Sequence, residues 1–184
     1  EGEDAAIQMD GTAVFRQGVF AGELDAKETR GLLFIENALE RSAFTIRQDG
    51  GSTTTLELQS SHTKVSVDRA GDTAAFTIRV TAKAEIAEEA DGDGLKDSQL
   101  AQINDQLAQT IEEEVRAAVE KTVMEYGCDV FGFGRRVMQK EPGLIRGRED
   151  EWPEKLKECA YHIEVETSIR SIGTDTGADP NPVS

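Results

Sequence analysis

The feature that most constrains the fold is an alternation of apolar and polar side chains between residues 73 and 87. Successive side chains of a β-strand point to opposite faces of its sheet. One face of this strand carries only apolar side chains, namely Ala74, Phe76, Ile78, Val80, Ala82, Ala84 and Ile86. The other face carries Thr77, Arg79, Thr81, Lys83 and Glu85. The pattern therefore predicts an antiparallel sheet that is covered on a single face.

A second pattern, with a period of 3.6 residues, runs from Ser98 to Tyr126 and predicts an amphipathic helix. Its apolar stripe consists of Leu100, Ile103, Leu107, Ile111, Val115, Ala118, Thr122 and Tyr126. Four glutamates lie mainly off this stripe, namely Glu112, Glu113, Glu120 and Glu125. A helix of about 28 residues is ~42 Å long, so we expect it to lie across the whole sheet.

The amino-terminal region predicts a hairpin followed by a capped helix. Strands are expected at Thr12–Arg16 and Val19–Leu24, joined by a turn. Asp25 is a candidate N-cap, and Glu28 stands three residues later, which is the spacing of a capping box. The helix that follows, Ala26 to Ile35, is expected to bury Leu32, Leu33 and Ile35.

Further strands are expected at Ala43–Gln48, Thr53–Val67 and Tyr161–Ile172. The apolar parity of the second one changes midway, which requires a bulge or kink near Ser60 and Ser61. The predicted class is α+β, with a largely antiparallel, or mixed, sheet of about five strands. One long helix and shorter helices would pack mainly on one face. We expect a single domain over residues 11–173, with a flexible lead-in at 1–10 and a disordered tail at 174–184.

A glycine-bearing helix is expected from Asp129 to Lys140, after the long helix ends at Gly127. Glycine inside a helix costs roughly 1 kcal/mol relative to alanine, so close packing would explain its presence. On a helical wheel Gly134 lies in the middle of the apolar arc, where we expect a neighbouring backbone. Gly132 lies off that arc and is expected to tolerate alanine if its φ is helical.

Charge and cysteine spacing exclude several classes of function. The chain has 36 acidic and 20 basic residues, a formal net charge of −16, and no long run of Lys or Arg residues that offsets it. Such a charge disfavours binding to nucleic acid and to anionic lipid. Cys128 and Cys159 stand too far apart for a zinc site. We expect free thiols, although an oxidising compartment would permit a disulfide.

No motif in the chain predicts catalysis or a cofactor. The segment from Asp91 to Asp97 resembles part of a calcium loop, but its twelfth position is Gln102 and not the required glutamate. A flexible turn is the simpler interpretation. His62 and His162 show no metal-ligand spacing and no nucleophile beside them. We therefore expect a protein that is not an enzyme and binds no metal or cofactor.

Three segments together resemble the C-terminal domain of the Ger(x)C family, the C subunits of nutrient germinant receptors in spore-forming bacteria. They are GTAVF at residues 11–15, LDAKETRGL at 24–32 and DVFGFGR at 129–135. The resemblance implies a non-enzymatic domain of a lipoprotein on the extracytoplasmic side of the spore inner membrane, held there by an upstream lipid anchor. It also implies partners, the A and B type receptor subunits and further germination proteins, and no nucleic acid. A small-ligand-sensing module is the alternative, which a concave apolar pocket would favour.

The resemblance and the residue chemistry together suggest two sets of residues. The first is the family signature, to which we assign structural roles: Glu28, Thr29, Arg30, Gly31, Asp129, Phe131, Gly132, Gly134 and Arg135. Within it, Arg30 is expected to pair with a carboxylate of another element, for example Asp129. The second is a candidate partner surface of locally dense positive charge, namely Arg135, Arg136, Arg146 and Arg148, with Trp152.

Overall fold

A computed structural model describes residues 11–48, 51–89 and 95–170 of the chain. The predicted lead-in, the predicted tail and most of the calcium-like segment lie outside these residues. Within the described residues, no helix combines the length and the apolar character that crossing a membrane requires.

The strands form two sheets. The first is a hairpin of β1 (Thr12–Arg16) and β2 (Val19–Leu24), at the predicted bounds. The second has the order β3 (Ala43–Arg47), β4 (Thr53–Ala70), β5 (Thr73–Glu89) and β6 (Ala160–Arg170). Neighbouring strands in this sheet pair in antiparallel fashion, except β5 and β6, which are parallel. The predicted α+β class is confirmed, with a mixed sheet and the hairpin standing apart from it.

The alternation in β5 produces the predicted one-sided sheet. Every apolar residue on one face of β5, from Ala74 to Ile86, is buried in the main core. On the opposite face Arg79 donates hydrogen bonds to Glu164 of β6, at 2.8 Å and 2.5 Å, and both side chains are half exposed. Helices therefore cover only the apolar face.

The predicted irregularity in β4 is present. The register between β4 and β5 shifts between Leu58 and Ser60. Because the shift reverses the parity of the strand, Leu56, Leu58 and Val67 are all buried on the core face.

Helix α1 (Ala26–Ile35) has the predicted bounds, but its buried residues differ from the prediction. Phe34 and Ile35 are buried, whereas Leu32 and Leu33 are only partly buried. The reason is that α1 packs mainly against a second helix, which covers one narrow stripe of its surface.

That second helix is α2 (Asp97–Val119), and it continues directly into a π-helical segment, Glu120–Glu125. The sequence predicted one uniform α-helix here. The predicted stripe is nevertheless buried from Ile103 to Thr122. Helix α2 also contributes the crossover that a parallel β5–β6 pair requires, because parallel strands cannot be joined by a short turn.

The predicted glycine-bearing helix is shorter than expected. Helix α3 spans Phe133–Lys140, and the residues from Asp129 to Gly132 precede it. Gly132 has a φ of +67°, a left-handed conformation that is incompatible with the interior of a right-handed helix. A short helix α4 (Trp152–Lys157) then leads into β6.

Candidate functional site

The first signature segment begins with a complete capping box. The backbone N–H of Glu28 donates to Oδ1 of Asp25, and the backbone N–H of Asp25 donates to Oε2 of Glu28, both at 2.8 Å. The buried hydroxyl of Thr29 lies 3.2 Å from that of Thr12, at the base of β1. These contacts orient α1 relative to the hairpin.

Arg30 is paired, but with Glu114 of α2 and not with Asp129. Its Nε donates to Oε2 of Glu114 at 2.9 Å, and its Nη2 donates to the other carboxylate oxygen. The Glu114 side chain is only 3% exposed. The hydrogen bonds that Arg30 donates to this carboxylate raise the pKa of Arg30, so the guanidinium remains charged. The guanidinium also lies 4.9 Å from the centroid of the Phe44 ring.

Gly31 lets the backbones of α1 and α2 approach closely. A Cβ at this position would overlap the backbone oxygen of Glu114, would lie 2.5 Å from its carbonyl carbon, and would lie 3.0 Å from the Cβ of Ala118. All four consecutive signature residues, from Glu28 to Gly31, thus hold α1 in place.

The second signature segment caps α3. The two carboxylate oxygens of Asp129 accept from the backbone N–H groups of Phe133 and Gly134, each at 2.7 Å. Asp129 can reach both groups because Gly132 turns the chain in its left-handed conformation. Phe131 is buried, with its ring centroid 5.2 Å from that of Phe133. The φ of Gly132 is not helical, so the condition under which we expected this position to tolerate alanine is not met.

Gly134 does pack closely against another part of the chain, as predicted, but the contact is with a side chain and not with a backbone. A Cβ on Gly134 would lie 2.5 Å from Nε1 of Trp152 and 3.1 Å from Oδ2 of Asp129. Nε1 of Trp152 is buried and has no hydrogen-bond partner among the described residues. Trp152 is half-buried, so much of its indole belongs to the scaffold and not to an exposed surface.

The four arginines of the candidate partner surface are all exposed: Arg135, Arg136, Arg146 and Arg148. None of them takes part in an ion pair between described residues. Arg135 and Arg136 line an open depression of about 340 Å³, together with Glu36 and Gln139. Arg146 and Arg148 lie outside this depression. Its other lining residues are Val130, Phe131 and Gly132, so the lining is mixed, and it does not favour the small-ligand alternative, which calls for a largely apolar pocket.

The hairpin carries an exposed apolar cluster that the sequence analysis did not identify. Phe15, Val19 and Phe20 surround its turn and are largely exposed. A signal was present, because apolar residues stand next to each other in both strands, at Val14–Phe15 and Val19–Phe20. Adjacent residues of a strand face opposite sides, so a two-stranded ribbon cannot bury both.

Neither the histidines nor the cysteines form a site among the described residues. His62 and His162 are exposed, and no group of acidic, histidine or cysteine side chains in the described part of the chain has the arrangement of a metal site. Cys128 and Cys159 are buried and free, as predicted. Burial raises the pKa of both thiols, which keeps them protonated and poorly reactive.

One comparison with known proteins identifies a family, and another identifies a similar fold. A family described as "Spore germination B3/ GerAC like, C-terminal" matches residues 10–173. The fold is also similar to a crystal structure of the GerBC protein, with a TM-score of 0.76, at 20% sequence identity. The match covers 87% of this chain and 51% of the other, so the chain spans about half the length of that structure. No curated protein matches the sequence significantly.

Proposed function

Because this chain belongs to the spore germination B3/GerAC-like, C-terminal family, we propose that it acts as a non-enzymatic domain of a germinant-receptor C subunit. It would take part in nutrient-triggered germination through protein contacts within the receptor complex. The observation that carries the proposal is the family match, which spans every described residue. The subunit would be held at the spore inner membrane, on its extracytoplasmic side, by a lipid anchor upstream of this domain.

The use of the signature residues supports a role without catalysis. The carboxylates of Glu28 and Asp129 are occupied by backbone N–H groups, and the guanidinium of Arg30 is occupied by Glu114. A general acid, base or nucleophile needs a reactive group that is free to reach a substrate. These residues instead fix the relative positions of α1, α2 and α3, which leaves the exposed surface as the functional part of the domain.

We assign contacts with the A and B type subunits to the arginine surface around Arg135, Arg136, Arg146 and Arg148. These side chains are exposed cations in a chain of net charge −16, and none of them takes part in an ion pair between described residues, so they are available to a partner. Arginine is enriched at the centres of protein interfaces, where its planar group can form two parallel hydrogen bonds with a carboxylate. A partner with an acidic patch would match this region.

The test is the double variant Arg146→Glu with Arg148→Glu in the full subunit, compared with the control Arg47→Glu with Lys64→Glu. The control reverses two exposed cations on β3 and β4, outside the proposed surface, and so changes the net charge equally. We expect the first variant, but not the control, to reduce co-purification of the A and B subunits and to slow germination. Normal assembly and germination in a folded Arg146/Arg148 variant would exclude this surface as the docking site.

A further inference from the structure

The turn of the β1–β2 hairpin forms an exposed apolar tip, defined here as Phe15, Val19 and Phe20. Their exposed fractions are 59%, 69% and 54%. Met124, at 38%, is the next most exposed large apolar residue of the described chain. Singly exposed apolar side chains are common, but three around a single turn mark a candidate interaction site, with Phe15 and Phe20 on one face of the ribbon and Val19 on the other.

A tight turn and a contact between two aromatic rings define the conformation of the tip. Gln17 and Gly18 both have positive φ, +51° and +81°, as in the tight turns that match the twist of a hairpin. Phe15 stands opposite Phe20 in the register, and their rings meet edge to face with centroids 5.8 Å apart. The two rings therefore already hold each other in place before any partner covers them.

The base of the hairpin is fixed to the body of the domain. Val14 and Leu24 are buried with Cys128 in a small core of their own. Oη of Tyr126 donates to the backbone oxygen of Glu23 at 2.8 Å, and its ring lies directly against Gly22. From Thr12 to Arg16 β1 is roughly 14 Å long, so the turn lies at the opposite end of the hairpin from Thr12.

We propose that the tip docks onto the preceding domain of the same polypeptide, as an intramolecular interface. The family is described as a C-terminal one, and the chain matches only 51% of the GerBC structure, which leaves room for such a domain. The hairpin is the first described element, so a preceding domain would be tethered near Thr12, at the base of β1. This inference rests on the domain having a longer parent chain and is independent of the receptor contacts proposed above.

The size of the tip favours a tethered partner over a separate one. Three side chains with these exposures offer on the order of 300 Å² of apolar surface. A stable interface between separate proteins buries about 800 Å² on each partner. Tethering raises the effective concentration of the second surface to about the millimolar range, so a small patch suffices within one chain. The net charge of −16 further disfavours insertion into an anionic membrane.

The test is the rate of maleimide labelling of Val19→Cys in the 184-residue chain and in the full subunit, followed by mass spectrometry of the labelled peptide. Thr81→Cys is the control, because Thr81 is exposed on the open face of β5, away from the hairpin. The native cysteines, Cys128 and Cys159, are buried and label poorly. Circular dichroism verifies that both variants fold in both forms.

We expect Val19→Cys to label about tenfold or more slowly in the full subunit than in the 184-residue chain, since a docked tip is exposed only in a minor open state. Thr81→Cys should label equally in both. Equal rates for Val19→Cys overturn the inference. Slow labelling of Val19→Cys already in the 184-residue chain also overturns the inference. The tip would then be covered by the chain's own ends or, if the protection increases with protein concentration, by a second copy of the chain. The inference is also overturned if Val19→Cys in the full subunit is protected from labelling only when vesicles containing anionic lipid, or the A and B subunits, are added.

Discussion

Replacing Gly31 by alanine tests whether the signature glycine exists for the contact between α1 and α2. In an isolated helix this change is favourable by about 1 kcal/mol, because alanine is the better helix former. In the folded domain the new Cβ would lie 2.5 Å from the carbonyl carbon of Glu114. Carbon atoms in contact prefer roughly 3.5–4.0 Å, so the two helices must separate by about 1 Å.

The cost of that separation exceeds the gain in helix propensity. Overfilling a packed contact typically costs about 1–3 kcal/mol, and here the atoms that must move are backbone, which yields least. Separation by ~1 Å also removes a quarter to a half of the dispersion attraction at each contact along the interface. We therefore expect the steric overlap to cost about 3 kcal/mol. After the gain of about 1 kcal/mol in helix propensity, the net destabilisation is about 2 kcal/mol.

Urea unfolding and thermal melting measure the effect. In a domain of this size a net loss of about 2 kcal/mol lowers Tm by roughly 4–8 °C. Gly143→Ala is the control, because a Cβ at Gly143 meets no atom within 4 Å, and we expect its Tm to stay unchanged or to rise slightly. If Gly31→Ala were as stable as the parent chain or more so, then helix propensity would outweigh packing, and the proposed role of Gly31 would be wrong.

Three further predictions follow from the same contacts. Gly132→Ala should destabilise by about 1 kcal/mol in urea, because alanine resists the observed left-handed φ; a neutral or stabilising effect would contradict this. Arg30→Leu should cost about 3–5 kcal/mol by leaving the buried Glu114 unpaired, and adding Glu114→Leu should recover much of the loss. Burial raises the pKa of Tyr161 well above its usual range, so the folded state favours the neutral phenol. The stability that this preference contributes is intact below about pH 10, where the unfolded chain also keeps the phenol neutral, and is lost as pH rises further. Tyrosinate absorbance should therefore show Tyr161 ionising together with unfolding, and Tyr161→Phe should abolish that coupled step.

Local sequence signals predicted much of the fold. The bounds of β1, β2 and α1 were predictable because turn residues and a capping box mark their ends within a few positions. The one-sided sheet followed from the alternation in β5, and the register shift in β4 followed from the change of parity beside Ser60. Each of these signals depends only on residues that are neighbours in the chain.

The errors concern contacts between distant segments. The partner of Arg30 is 84 positions away, and many carboxylates in an acidic chain could have taken its place. The residue against Gly134 is Trp152, which a helical wheel cannot show because the wheel represents one helix only. The parallel pairing of β6 and the distribution of strands over two sheets likewise depend on how the chain returns through space. The partner surface and the docking of the tip remain predictions.

The π-helical segment from Glu120 to Glu125 has a consequence for how members of this family inherit insertions and deletions. A π-turn accommodates one more residue than an α-turn, and each residue of an α-helix turns the chain by about 100°. Losing one residue here would regularise the helix, but it would rotate the ring of Tyr126 away from Gly22 and release the hairpin. The length of this segment, the aromatic residue and the glycine should therefore be inherited together, and an alignment of family members can check this.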